Sequence, residues 1–285
     1  MVASADQPDS GLAIISGRGD LPRLLAHECQ RTGRRYSVVE FENIPLNWTS
    51  GHPVIPTVFE QTGQLIERMQ QANCQEIVMA GAMNREKIDA CKLDGKGREL
   101  AAVLIETMKA GDDAMLGSII KFFEANGFDV LAAQDVLPSL IPQSGVLTNF
   151  EPSDDDMFDA ARAAEIVSGL GGLDVGQAAV VGQGVCLGLE SVQGTDTMLA
   201  FVQHTRDGYS PDLNGARGVL VKAPKPGQDL RIDLPTIGPD TIQNAHNAGL
   251  SGVVIEAGGV MVLRRAETVS LANKLGMFLW ARPKG

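Results

Sequence analysis

Alternation is the feature that most restricts how this chain folds. Residues 12–16 (Leu-Ala-Ile-Ile-Ser) form an unbroken apolar run of the length expected for a buried strand. A helical stretch follows over 21–30, with Pro22 in its first turn, where an N–H has no partner inside the helix anyway. The exchange continues with strands at 36–39 and 54–58, a helix at 62–71 and a strand at 76–81. Helices at 99–109 and 114–126 and a strand at 128–132 complete it. Strands that alternate with helices predict an open parallel sheet wound on both faces.

Pro138, Pro142, Gly145 and Pro152 then interrupt every periodic pattern. They predict a linker over 139–153 between an N-terminal domain, 1–138, and a C-terminal α/β domain, 154–285. The second half begins with a helix over 154–170. Apolar runs follow at 178–181, 185–189, 218–221, 252–255, 260–263 and 277–280, and helices fit 239–248 and 267–275.

Charge and composition narrow the partners. A net charge of −11 argues against nucleic acid, which demands a basic face, and against general attraction to an anionic membrane. The first eleven residues are polar and acidic, unlike a signal peptide, and no apolar run approaches the roughly eighteen residues of a membrane span. Cys29, Cys74, Cys91 and Cys186 are widely spaced, as expected of reduced, mostly buried thiols in a cytoplasmic protein. His27, His52, His204 and His246 form no HxH or HExxH pattern. With no GxSxG or Cys-His pairing either, covalent acyl chemistry is unsupported.

Residues 222–238 carry the strongest chemical signal. Lys222, Lys225 and Arg231 neutralise phosphate oxygens, Asp229 and Asp233 suit a hard cation, and Pro and Gly residues stiffen the backbone between them. The segment reads as a phosphate and metal site, or else as a solvated turn with incidental charges. Gly17-Arg18-Gly19 follows the first strand, as a phosphate-contacting turn does, but a tight strand-to-helix connection has the same residues. Asp112 and Asp113 precede an apolar helix, either as its start or as ligands for sugar hydroxyls or metal. Glu190 and Glu256 each close a strand beside glycine. Asp196 offers a further oxygen ligand, although it and Thr195 equally suit a helix cap.

Taken together these motifs resemble the LpxI family of UDP-2,3-diacylglucosamine pyrophosphatases in lipid A biosynthesis. The resemblance rests on Gly17-Arg18-Gly19-Asp20-Leu21-Pro22, Gly111-Asp112-Asp113-Ala114-Met115, Leu173-Asp174-Val175-Gly176-Gln177 and Glu190 through Leu199. It also rests on 222–238 and on 248–252. These motifs extend it from about Leu12 to Ala281. Arg18 stands where the family has a small residue, and Thr197 where Ala is usual.

The resemblance implies hydrolysis to UMP and 2,3-diacylglucosamine 1-phosphate (lipid X) with Mg2+, Mn2+ being an alternative. It implies an N-terminal Rossmann-like domain, a C-terminal α/β domain and a ligand chamber between them. Asp233 matches the family's essential aspartate, with Lys222 and Arg231 beside it. Gly17, Gly19, Asp112, Asp113, Gln177, Thr195, Asp196, Lys225, Gln228 and Thr236 are the expected substrate contacts. Asp233, Glu190, Asp196 and Glu256 are the candidate metal ligands. Met83, Met108, Met115, Met198 and Met261 offer adaptable surfaces for acyl chains, or ordinary core. A monomer or homodimer in transient contact with the inner membrane completes the expectation. A non-catalytic nucleotide-sugar or lipid carrier has the same residue types. A nicotinamide oxidoreductase needs a fuller glycine fingerprint and a proton donor, which this sequence lacks.

Overall fold

The computed structural model describes residues 10–83, 88–107, 112–208, 212 and 215–284. The chain divides into two compact units, Met1–Pro138 and Ser139–Gly285.

The first unit runs β1 (Gly11–Ser16), α1 (Leu21–Thr32), β2 (Tyr36–Phe41), β3 (Val54–Thr57), α2 (Thr62–Gln71) and β4 (Cys74–Ala80). It continues with α3 (Gly95–Thr107), α4 (Asp112–Ala125), β5 (Asp129–Leu131) and α5 (Ala133–Val136). Its five strands lie in the order β3-β2-β1-β4-β5, with every neighbouring pair parallel. All six residues of β1 are buried, as are the consecutive pairs Val38-Val39 and Ile77-Val78. Successive strand residues point to opposite faces, so burial of both means that the sheet is covered on both sides. Asp94 joins two helices of this unit. Its carboxylate accepts from Gly63 N at 2.7 Å, in the first turn of α2, and from Gly97 N at 2.6 Å, at the start of α3. One acid thereby satisfies orphan N–H groups at two helix starts.

The second unit contains β6 (Gly145–Val146), α6 (Asp154–Gly172), β7 (Ala178–Gly182), β8 (Val185–Leu189), α7 (Gly194–Thr205) and β9 (Val219–Lys222). Then come β10 (Thr236–Ile237), α8 (Pro239–Asn247), β11 (Gly252–Glu256), β12 (Met261–Val262), α9 (Arg265–Lys274) and β13 (Phe278–Arg282). The main sheet has the order β6-β13-β11-β9-β7-β8. Its central strands β13, β11 and β9 are parallel, and β6, β7 and β8 join antiparallel to their neighbours. Strand side chains divide by period two. Ala178, Val180, Leu220, Val253 and Leu279 enter one core with Leu199 of α7, Ile242 of α8 and Ala272 of α9. Ala179, Val181, Val219, Val221 and Val254 enter another with Ala160, Ala163 and Val167 of α6.

Three features depart from the sequence expectation. The stretch 139–153 is more than a linker, because it contributes β6, an edge strand paired with β13 through Val146 and Trp280. Helix α7 occupies 194–205 with Gln193 at its N-cap, so Thr195 and Asp196, offered by the sequence as caps of a following helix, lie within its first turn. Cys91 and Cys186 are exposed, and only Cys29 and Cys74 are buried. Burial pushes the Cys29 thiol up to about 11.

Candidate functional site

The polar groups of the second unit collect at one edge of its main sheet. Lys222, the last residue of β9, pairs with Ile255 on one side and with Ala178 on the other. Gln177 and Glu256 stand one residue beyond those partners. Glu190, just past β8, donates its N–H to Ala178 O at 2.9 Å. This edge contains the carboxyl ends of the parallel strands β9 and β11, the usual place for a ligand in an α/β sheet.

Lys222 is the centre of the cluster. Its side chain is 8% exposed, and Nζ donates to Thr195 Oγ1 at 2.7 Å and lies 3.8 Å from Glu190 Oε1. Thr195 in turn donates to Glu190 Oε1 at 2.5 Å, and Glu190 Oε2 accepts from Gln177 N at 3.1 Å. Burial pulls the lysine pKa below its ordinary value, and the charges of Glu190, Asp196 and Asp233 pull it back up. The Gln177 side-chain oxygen is buried with no hydrogen-bond partner. A buried acceptor left so costs about 1–3 kcal/mol, which a donating ligand would recover.

The other two cations expected at phosphate also have acidic partners. Lys225 Nζ lies 2.5 Å from Asp174 Oδ1, and Arg231 pairs with Asp229 at 2.8 Å within the same loop. The Arg231 hydrogen bonds hold the Asp229 carboxyl below the usual range.

Asp233 has a left-handed backbone, φ +61°, uncommon outside glycine. It is exposed, whereas Ile232 and Leu234 on either side are buried, so the loop presents the acid between two apolar anchors. Gln228 Nε2 donates to Asp233 O at 2.8 Å, and Gln228 Oε1 accepts from Lys225 N at 3.0 Å. Thr236 opens β10, opposite Met261.

The four acids expected to hold a metal do not assemble as one ligand set. Glu190 is engaged by Thr195, Lys222 and Gln177. Asp196 accepts from Asn244 Nδ2 at 2.9 Å. Glu256 ends β11 beside Gly259, whose close packing against Pro224 leaves no room for a Cβ. Among the described residues no three His, Cys, Asp or Glu side chains form a group suited to a metal ion. Glu190 is thus the counter-ion of a buried lysine, a role its position beside glycine did not reveal.

In the first unit the glycine turn serves the backbone. Gly17 N donates to Ala80 O at 2.7 Å and Arg18 N to Ala82 O at 2.8 Å, so neither N–H is left for a phosphate. A Cβ at Gly17 would meet Ala82 O at 2.6 Å. Gly19, φ +96°, faces open space. The tight-turn reading therefore holds for Gly17, and its expected substrate contact through N–H is corrected. A cavity of about 360 Å³ lies at the opposite, amino-terminal edge of this sheet, lined by Arg34, Arg35, Tyr36 and Cys74. Gly111 and the side chains of Asp112 and Asp113 lie outside the described residues, as does Met108. Met198 and Met261 are core residues, which removes them from an acyl-chain surface. Asn244 and the pairing role of Asp174 were missed from sequence. Their partners lie 48 and 51 positions away, beyond any local pattern.

The chain matches two family models, described as LpxI N-terminal domain over residues 11–140 and LpxI C-terminal domain over 143–280. It is 34% identical over 268 residues to the UDP-2,3-diacylglucosamine pyrophosphatase LpxI of Caulobacter vibrioides, covering 94% of this chain and 96% of the relative. Among solved structures, the N5-carboxyaminoimidazole synthase of Aspergillus clavatus overlaps 60% of this chain and 38% of its own. Its identity is 13% and its TM-score 0.22, which carries no argument.

Proposed function

Because this chain belongs to the LpxI family along nearly its whole length, we propose that it hydrolyses the pyrophosphate bond of UDP-2,3-diacylglucosamine. The observation that carries the reading is its 34% identity to a relative of that name across 94% of the chain. A water oxygen bonds to one phosphorus, the bridging P–O bond breaks, and UMP and 2,3-diacylglucosamine 1-phosphate leave. The geometry at the sheet edge suits this chemistry. Lys222 holds a fixed positive charge in a mostly buried setting, and Asp233 supplies an exposed carboxylate whose charge reaches it. UMP release from the purified full chain is the test. A carrier would bind the substrate and release none.

The metal requirement is a separate proposal. The candidate donors are oxygens, the type that suits Mg2+ or Mn2+ rather than Zn2+, but among the described residues they do not assemble as one ligand set. The proposal therefore rests on the resemblance alone: EDTA should remove activity and Mg2+ or Mn2+ restore it where Zn2+ does not. Activity that survives exhaustive chelation ends that proposal. Among the described residues no helix is long and apolar enough to cross a membrane. We assign the protein to transient contact with the cytoplasmic face of the inner membrane, because its substrate carries two acyl chains. After lysis most of it should be in the soluble fraction. A requirement for detergent extraction would contradict that assignment.

A further inference from the structure

We propose that Gln228 is a positioning residue that clamps the 225–233 loop and holds Asp233 in its left-handed conformation, and that it makes no contact with substrate.

The loop starts with a turn, Lys225-Pro226-Gly227-Gln228. Pro226 and Gly227, at φ +79°, occupy the positions a type II turn requires, and Gln228 N donates to Lys225 O at 3.2 Å. This turn rests on the end of α6, where a Cβ at Gly171 would meet Pro226 at 2.8 Å. At the far end, buried Ile232 and Leu234 anchor the chain on either side of Asp233. The Gln228 side chain joins the two ends. Its carbonyl accepts from Lys225 N at 3.0 Å, and its NH2 donates to Asp233 O at 2.8 Å, with Asp233 Oδ2 at 3.5 Å. Both halves of the amide thus serve the loop itself.

The clamp has a physical purpose because Asp233 is strained. An L-residue at positive φ brings its Cβ close to the following carbonyl, a cost that aspartate bears more easily than most, so contacts such as the Gln228 bond decide whether the conformation is kept. With its Gln228 bond removed, the Asp233 peptide gains freedom to return to negative φ, which moves the carboxylate from the place the loop gives it. Misplacing a reacting group by about an ångström lowers turnover steeply. The sequence motif alone made Gln228 a substrate contact, and the geometry gives it a different task.

The inference rests on the hydrolase reading for its kinetic arm only. Gln228→Ala should lower kcat about 10–100-fold while KM stays within about threefold, because the loss is one of positioning and not of binding. Gln228→Glu sharpens the test. A carboxylate at 228 faces the Asp233 carbonyl and carboxylate, with Asp229 beside them and with Lys225 and Arg231 already paired to Asp174 and Asp229. With no N–H left to donate to Asp233 O, this variant should lose kcat at least as fully as Gln228→Ala while KM again stays within about threefold. Hydrogen exchange supplies an arm independent of turnover: amides of 229–234 should exchange about tenfold faster in Gln228→Ala. If the unmodified protein releases no UMP but this acceleration appears, the clamp stands and the hydrolase reading falls. If it turns over and Gln228→Ala raises KM at unchanged kcat, or leaves both kcat and exchange unchanged, the clamp is overturned.

Discussion

The carboxyl edges of the two sheets occupy equivalent places in their units yet differ in what they offer a ligand. In the first unit the end of β1 meets the end of β4 through backbone: Gly17 and Gly81 approach so closely that a Cβ on either would overlap the other strand's loop. Hydrogen bonds between Gly17, Arg18, Ala80 and Ala82 close that edge. In the second unit the corresponding edge is built from long side chains, Lys222, Glu190, Gln177 and Glu256, with Thr195 and Asp196 brought in by α7. A strand end followed by glycine therefore has two meanings. It marks a close approach of backbones where the next polar groups are N–H and C=O, and a chemical site where charged side chains end the strands.

Substitutions on the two edges should behave in opposite ways. The largest effect is expected for Asp233→Ala, which should lower UMP release about 10²–10⁴-fold with little change in melting temperature, since the side chain is exposed. Near-normal turnover by the folded variant would remove Asp233 from the site.

Lys222→Met should lower turnover by about 10²-fold and destabilise the second unit by about 3–5 kcal/mol, because it leaves Glu190 buried without its cation. The double variant with Glu190→Gln should recover much of the stability and none of the activity. The pH dependence follows from burial. The folded lysine has a pKa below its ordinary 10.5, so between the two values the unfolded chain binds the extra proton and stability rises with pH. Activity should fall through the same range as the ammonium is lost. Denaturant titrations and kcat profiles between pH 7 and 10.5 check both, and a wild-type profile flat across that interval contradicts the assignment.

Gly17→Ala tests the other edge. It should destabilise the first unit by about 1–3 kcal/mol through steric overlap, read as faster hydrogen exchange in β1 and β4, while exchange in β9 and β11 is unchanged. Preserved exchange in β1 would mean that the backbone closure is not rigid. The smallest effect is expected for Asp229→Asn. Its carboxylate lies in a half-exposed pair with Arg231, so turnover should change by only a few-fold. A loss comparable to that of Asp233→Ala would move the chemistry to Asp229.

The alternating apolar runs determined the two α/β units, the parallel sheet of the first and the burial of its strands. A strand covered on both faces needs a continuous hydrophobic stretch, and that property is local. The segment 222–238 likewise displayed its charges. The pairings were not. Lys222 meets Thr195 and Glu190 across 27 and 32 positions, and Asn244 reaches Asp196 across 48, because β7 and β8 fold back antiparallel beside β9 and bring α7 with them. That register decides which carboxylate neutralises the buried lysine, and so removes Glu190 from the expected metal ligands. The left-handed turn at Asp233 was equally hidden, since aspartate is not glycine and nothing in the local sequence demands positive φ there. It is set by anchors at Ile232 and Leu234 and by the Gln228 amide. Sequence determined which groups are present, and only the tertiary structure decided which of them neutralise one another and which remain exposed.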